Sequence, residues 1–339
     1  MARSPKGAPM STDALDTGER AAEVEERAPA ARARRRIQLQ EAALPVVVVA
    51  LLVAGTIADR QQFLTRDNLL TVLTQASVVG VVAVGMTFVI ATGGIDLSVG
   101  SMLAAAAIAG GLVGEQQSLP FMVGALGMGV LLGLVNGVAI AYGRIVPFIA
   151  TLAMFAGARG LALWMSDKTP ISLLQLDFVR ELGRGRVAGI PYAALVFLAV
   201  TVGGWVLLNR TRYGRHVIAV GGNREAARMA GVRPQRIVCS VYVLSGLCVG
   251  IAAVLLSGRL GSASPVAGNL LELDAIAAVV IGGTSLAGGR ATITGTFLGV
   301  ITFGLLFNLL NLLDMPTELQ QLTKGVIILA AAALQRRDR

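Results

Sequence analysis

The stretch GMTFVIATGGIDLSVGS, residues 85–101, starts as an apolar helix and then interrupts itself. Gly93 and Gly94 follow the apolar run, and Asp96 comes next, set between Ile95 and Leu97. A glycine pair is a poor helix interior and a ready C-terminal cap. Asp96 or Ser98 supplies an oxygen that can accept the exposed backbone N–H groups of a second helix. The segment therefore encodes two helices joined by a break, and its meaning depends on what surrounds it.

The surroundings are lipid. Hydrophobic residues make up 55% of the 339 and charged residues 14%, with a mean hydropathy of +0.71. Soluble domains carry about a quarter charged residues. A helical crossing needs about 20 apolar residues, whereas barrel strands would show short alternating segments, and the runs here are long and unbroken. The fold class is all-α, a polytopic membrane helical bundle of about ten transmembrane segments with broken or re-entrant helices. Two of the segments, 101–113 and 273–286, are short for a full crossing. At membrane depth an aspartate costs about 2.5–3.5 kcal/mol on insertion scales, so Asp96 needs protein or a wet cavity around it. Two readings of the break stay open: a cavity-lining break at depth, as transporters use, or a capped turn at the cytoplasmic surface.

Charge sets the direction of the chain. The net charge of +9 would suit nucleic acid, but the arginines gather in the first forty residues, one internal loop and the last few residues. That distribution follows the positive-inside rule and gives no role to nucleic acid. Residues 1–40, rich in Ala, Glu and Arg and ending in ARARRR, read as a disordered basic cytoplasmic tail against anionic membrane lipid. Their polar lead is too long for a secretory signal. Residues 41–336 form the transmembrane domain. Its loop 209–236 holds Arg210, Arg212, Arg215, Arg224, Arg228, Arg233 and Arg236 against Glu225 alone, and is cytoplasmic. An even number of crossings then puts the amino and carboxyl termini on the same side as this loop. Gly129, Gly133 and Gly137, and Gly246 with Gly250, are spaced for close helix packing within the bundle or across a dimer. Cys239 and Cys248 lie on opposite sides of one helix and do not pair with each other.

The chemistry available is sparse. No phosphate loop occurs, and Lys6, Lys168 and Lys324 are the only lysines. The sole histidine, His216, lies in the basic loop, so neither proton relay nor metal site is indicated. Ser285 in GTSLAGG looks like a nucleophile turn but lacks a histidine partner inside the membrane, and no catalytic residue is assigned. What remains are isolated polar residues in or beside spans: Thr87, Asp96, Ser98, Asn136, Arg159, Asn308 and Asn311. Each either lines a solute pathway or stitches helices together, and Arg159 can also snorkel outward.

Inside the basic loop lies GGNREAARMAGVRP. Asn223 is a good N-cap, Glu225 sits in the first turn, Gly231 suits a left-handed C-terminal cap and Pro234 forbids continuation. So short a helix needs docking to persist, on lipid headgroups, on the protein's own loops or in a partner groove.

Three blocks now resemble one family, the permease subunits of ribose-type ABC sugar importers. They are residues 85–101, RYGRHVIAVGGNREAARMAGV at 212–232, and VVIGGTSLAGGRATITGTFLGV at 279–300. EAARMAG, 225–231, is similar to the motif whose short helix enters a cleft on the ATPase. The resemblance runs from about residue 41 to the carboxyl end. It implies a multi-pass protein of the bacterial cytoplasmic membrane with no cofactor of its own, ATP and Mg being used by a separate ABC ATPase subunit. It also implies a second permease chain, in a homo- or heterodimer, and an extracytoplasmic sugar-binding protein that delivers a monosaccharide. On this reading Asn223, Glu225, Ala226, Ala227 and Gly231 contact the ATPase, while Asp96 and Ser98 shape the break beside the pathway. Two alternatives differ in what they require. A branched-chain amino-acid permease wants paired charges for a zwitterion, and an ion-coupled secondary transporter needs no ATPase.

Overall fold

The computed structural model describes residues 44–59, 61–114 and 117–336; the tail 1–40 lies outside them. The chain is a helical bundle. In order come α1 (Leu44–Ala58), α2 (Arg66–Ala91), α3 (Val99–Val113), α4 (Ser118–Ala141) and α5 (Pro147–Met165). After β1 (Ile171–Ser172), α6 (Asp177–Arg184), β2 (Arg186–Val187) and β3 (Ile190–Pro191) follow α7 (Tyr192–Arg210), α8 (Arg212–Gly222) and α9 (Arg224–Met229). The chain closes with α10 (Pro234–Leu260), β4 (Ser262–Ala263), α11 (Leu271–Ile281), α12 (Ile293–Leu312) and α13 (Thr317–Arg336). The strands are two residues each: β1 pairs antiparallel with β4, and β2 with β3.

The apolar segments read from the sequence lie on helices, except that 187–191 fall in β2, β3 and the turn between them and 282–286 in the turn after α11. Six of them, α2, α4, α5, α7, α10 and α12, are long and apolar enough to cross a membrane, against the ten or so crossings expected. The chain is thus a multi-pass membrane bundle whose remaining apolar helices are shorter or carry charge. Local sequence explains the boundaries. Thr65 accepts the backbone N–H of Asn68 at the start of α2, and Pro147 and Pro234 occupy the first turns of α5 and α10, where the missing N–H costs nothing. Gly261, at φ 71°, closes α10 in the left-handed conformation.

α10 is the hub, packed on α2, α3 and α4. Its pairing with α4 is antiparallel and the most extensive in the molecule. Here the glycine spacing finds its use within the chain. A Cβ on Gly133 would stand 3.1 Å from the Gly246 Cα, and one on Gly250 would stand 2.8 Å from the Leu126 Cα. The two backbones are close enough that only hydrogens fit, so these faces are consumed internally and do not form a dimer seam. α3 is buried on every side from Val99 to Gly111 and packs on α4, α5 and α10. It shows no amphipathic stripe because it has no solvent or lipid face to distinguish. By contrast α4 turns Leu131, Leu134, Val135 and Val138 outward, as a lipid-facing helix does.

Candidate functional site

The break between α2 and α3 exposes Gly93 while turning the polar side chains of Asp96 and Ser98 into the protein. Gly93, at φ 78°, ends α2, and both α2 and α3 pack on α10. Asp96 and Ser98 are fully buried. Asp96 Oδ1 accepts the Ser98 backbone N–H at 3.0 Å and the Ser98 hydroxyl at 2.5 Å. The Ser98 Oγ in turn accepts the Asn136 amide from α4 at 2.9 Å, and Met102 Sδ lies 3.0 Å away. Ser245 on α10 donates a long bond, 3.5 Å, to Asp96 Oδ2. One carboxylate thus ties the break, α4 and α10 together, and its insertion cost is offset by these bonds.

A second set of contacts roofs the break. The Gly289 N–H donates to the Ala91 carbonyl, the last of α2, at 3.0 Å. Gly221, at the end of α8, sits so close to that carbonyl that a Cβ would fall onto it, and would also stand 2.6 Å from the Gly289 nitrogen. α8 is therefore seated directly on the break and on the turn between α11 and α12. α9 continues from α8 through a single residue. Asn223 closes α8 with its backbone N–H on Ala219 O at 3.0 Å and opens α9 with its side chain, accepting from Glu225 N and Ala226 N, both at 3.0 Å. At the far end Gly231 adopts φ 82° and Val232 N donates to Ala227 O at 3.0 Å. The short helix is capped at both ends as its sequence demands.

Of the residues assigned to a partner groove, Asn223, Glu225 and Ala226 are exposed, whereas Ala227 is buried and anchors α9 to the body. Glu225 and Arg228 pair at 2.6 Å on the exposed side. The hydrogen bond and charge from Glu225 hold the Arg228 guanidinium above its ordinary range. Met229, 81% exposed, projects from the same helix; its sequence signal was an apolar side chain inside a polar turn, and it was overlooked.

The remaining pathway candidates are scattered. Thr87 donates to Ala83 O at 2.8 Å and lies 2.8 Å from the Thr296 hydroxyl, joining α2 to α12. Asn308 and Asn68 exchange amide bonds at 2.7 and 2.9 Å across the same helix pair, and Asn311 accepts from Gln320 at 2.9 Å. Arg159 does not snorkel. Its Nη1 donates to the carbonyls of Pro265 at 2.7 Å and Ala267 at 2.9 Å, holding the loop ahead of α11. Sequence reading also missed Ser245, Met102 and Glu272. Glu272 is buried at the start of α11, where its carboxylate approaches Gly100. The stretch LELDA that contains it was visible as acid inside an apolar run.

Residues 68–332 match the family described as branched-chain amino acid transport system / permease component. The chain belongs to this permease family. It is 40% identical over 304 residues to the ribose import permease protein RbsC of Escherichia coli strain K12, covering 88% of this chain and 94% of that one. The corresponding protein of Bacillus subtilis strain 168 is 44% identical over 278 residues, 81% of this chain and 86% of its own. The xylose transport system permease protein XylH of E. coli K12 is 33% identical over 361 residues, 88% and 92% of the two chains. The permease has no significant match among solved structures. The three blocks singled out in the sequence fall on the break, on α8–α9 and on the α11–α12 turn, and Gly221 of α8 and Gly289 of that turn meet at Ala91.

Proposed function

We propose that this chain is the membrane-crossing subunit of an ATP-driven importer of a ribose-like monosaccharide, moved by a separate ABC ATPase that docks on α9. The observation that carries this reading is the seat of α8 on the break. A force applied to the capped, exposed α9 passes through Asn223 to α8, and from Gly221 to the last carbonyl of α2 and to Gly289. A rigid two-turn lever resting on the junction of three helices is what a borrowed motor needs. The α9 end faces the cytoplasm, as its arginines require, and the amino and carboxyl termini share that side. ATP and Mg bind the partner, not this chain. A second permease chain completes the pathway, and a binding protein outside the cell delivers the solute.

The substrate class follows from the names of relatives, which concern ribose and xylose, and from the neutral character of most buried polar groups. A zwitterionic amino acid, which the family description mentions, would want a pair of opposite charges open to the solute; Nη1 of Arg159 is instead bonded to two backbone carbonyls. The test is uptake into proteoliposomes containing the permease and its genomic-neighbour ATPase, with the binding protein supplied outside. ATP-dependent accumulation of labelled ribose or xylose, unaffected by excess leucine, is expected. Leucine uptake would move the chain to the amino-acid branch, and accumulation by the permease alone, driven by an ion gradient, would defeat the reading altogether.

A further inference from the structure

We propose that the solute contacts the permease near the middle of the bilayer, on the unwound segment 264–270 that leads into α11, where the Asn269 amide and the backbone N–H groups around it form the hydrogen-bonding surface. The depth follows from the helices. α10 begins in the basic loop and its 27 residues rise about 40 Å, so β4 lies at the opposite face of the membrane. α11 ends at the turn whose Gly289 rests on Ala91 beside α8, back at the first face. Its 11 residues span about 16 Å of an apolar core about 30 Å thick, so α11 starts near mid-depth and segment 264–270 crosses the other half without helix. The segment is held in place. Arg159 binds the carbonyls of Pro265 and Ala267, and a Cβ on Gly268 would stand 2.7 Å from the Gly100 carbonyl of α3.

Non-helical backbone at that depth persists only inside protein or against a wet cavity. The N–H groups of Gly268, Asn269 and Leu270 donate to no described residue, and Val266 and Asn269 are exposed. Behind them Glu272 is 6% exposed, and its Oε2, which approaches Gly100 where Gly268 crosses, has no hydrogen-bond partner among the described residues. Donors without an acceptor beside an acceptor without a donor suit a group that is both, which is a hydroxyl. Acyl chains supply neither. An anion is disfavoured, because the positive end of the α11 dipole already has Glu272 and Asp274 in its first turn, and Asp274 pairs with Lys324 at 2.7 Å. The segment thus fits a neutral polyol, an assignment that rests on the importer reading above and deepens it. Its place in the fold ties it to the lever. α8 is seated on the turn at Gly289, and α11 joins that turn directly to the segment, so a shift of α8 moves the contact point along the pathway.

The experiment is thiol labelling of Asn269→Cys in proteoliposomes holding the permease, its ATPase and the binding protein. Leu134→Cys, on the lipid-facing side of α4, is the dry control, and the parent protein, with Cys239 half-buried and Cys248 buried, gives the background. A small hydrophilic methanethiosulfonate reagent should modify Asn269→Cys on the order of tenfold faster than Leu134→Cys, because the reactive thiolate forms in water and not among acyl chains. Ribose or xylose at saturation should slow that reaction several-fold, and leucine should leave it unchanged. Asn269→Ala should assemble and hydrolyse ATP as the parent does while solute uptake falls about fivefold, the loss of one hydrogen bond, and Asn269→Gln should recover part of it. Labelling of Asn269→Cys no faster than Leu134→Cys would overturn the proposal. So would a disulfide joining the Asn269→Cys side chains of two permease chains without protection by sugar, which would make the segment a seam between copies. Protection by leucine and not by sugar would overturn the solute class. Protection reads occupancy, so vesicles in which sugar shields Asn269→Cys without being accumulated would support the contact and count against the importer reading.

Discussion

Asp96 receives two bonds from Ser98 and a long one from Ser245, and Ser98 passes the connection on to Asn136. A buried donor that loses its acceptor costs about 1–3 kcal/mol. Asp96→Ala should therefore lower the midpoint of thermal unfolding in detergent and abolish uptake, whereas Asp96→Asn, which keeps an acceptor oxygen, should lose less of both; equal behaviour of the two variants would mean that the carboxylate is not holding the break. Gly231 offers a cleaner test because nothing lies within 4 Å of a Cβ placed there, so only its φ of 82° matters. Gly231→Val should insert normally yet hydrolyse ATP with its partner without moving solute, while Gly231→Asn should retain coupling. Measured as the ratio of solute imported to ATP consumed, a coupled valine variant would remove α9 from the drive train.

α8 and α9 act as a pair only if α8 stays in its seat. Gly221 and its neighbour Gly222 give a matched comparison: a Cβ on the first falls onto the Ala91 carbonyl, while one on the second stops 3.9 Å from the Gly289 Cα. Gly221→Ala should uncouple ATP hydrolysis from transport at least tenfold and destabilise the protein by about 1–3 kcal/mol through overpacking. Gly222→Ala should do neither. Parallel melting curves and uptake rates decide the matter. The α4–α10 pair makes the opposite case. Its glycines set a separation at which the two backbones touch.

On the scale of the molecule, the proposed function makes the exposed tip of α9 the place where the permease meets its motor. Met229→Cys should react readily with a water-soluble thiol reagent in the isolated permease and be protected at least tenfold once the ATPase binds; Cys239 is half-buried and Cys248 buried, so the parent protein supplies the background. Unchanged labelling in a complex that still hydrolyses ATP would place the docking elsewhere. The sequence alone determined the helical membrane class, because long apolar runs have one stable solution in lipid. It also determined the limits of α9, because Asn223 and Gly231 encode caps that depend only on neighbours in the chain. Tertiary structure decided the rest. That Asn136, Ser98 and Asp96 share one bond network while Thr87, Arg159 and Asn308 lie apart depends on which helix faces which, and an apolar helix carries no stripe to announce its orientation. The seat of α8 on Ala91 likewise joins residues 130 positions from one another, through glycines whose spacing says that something comes close but not what.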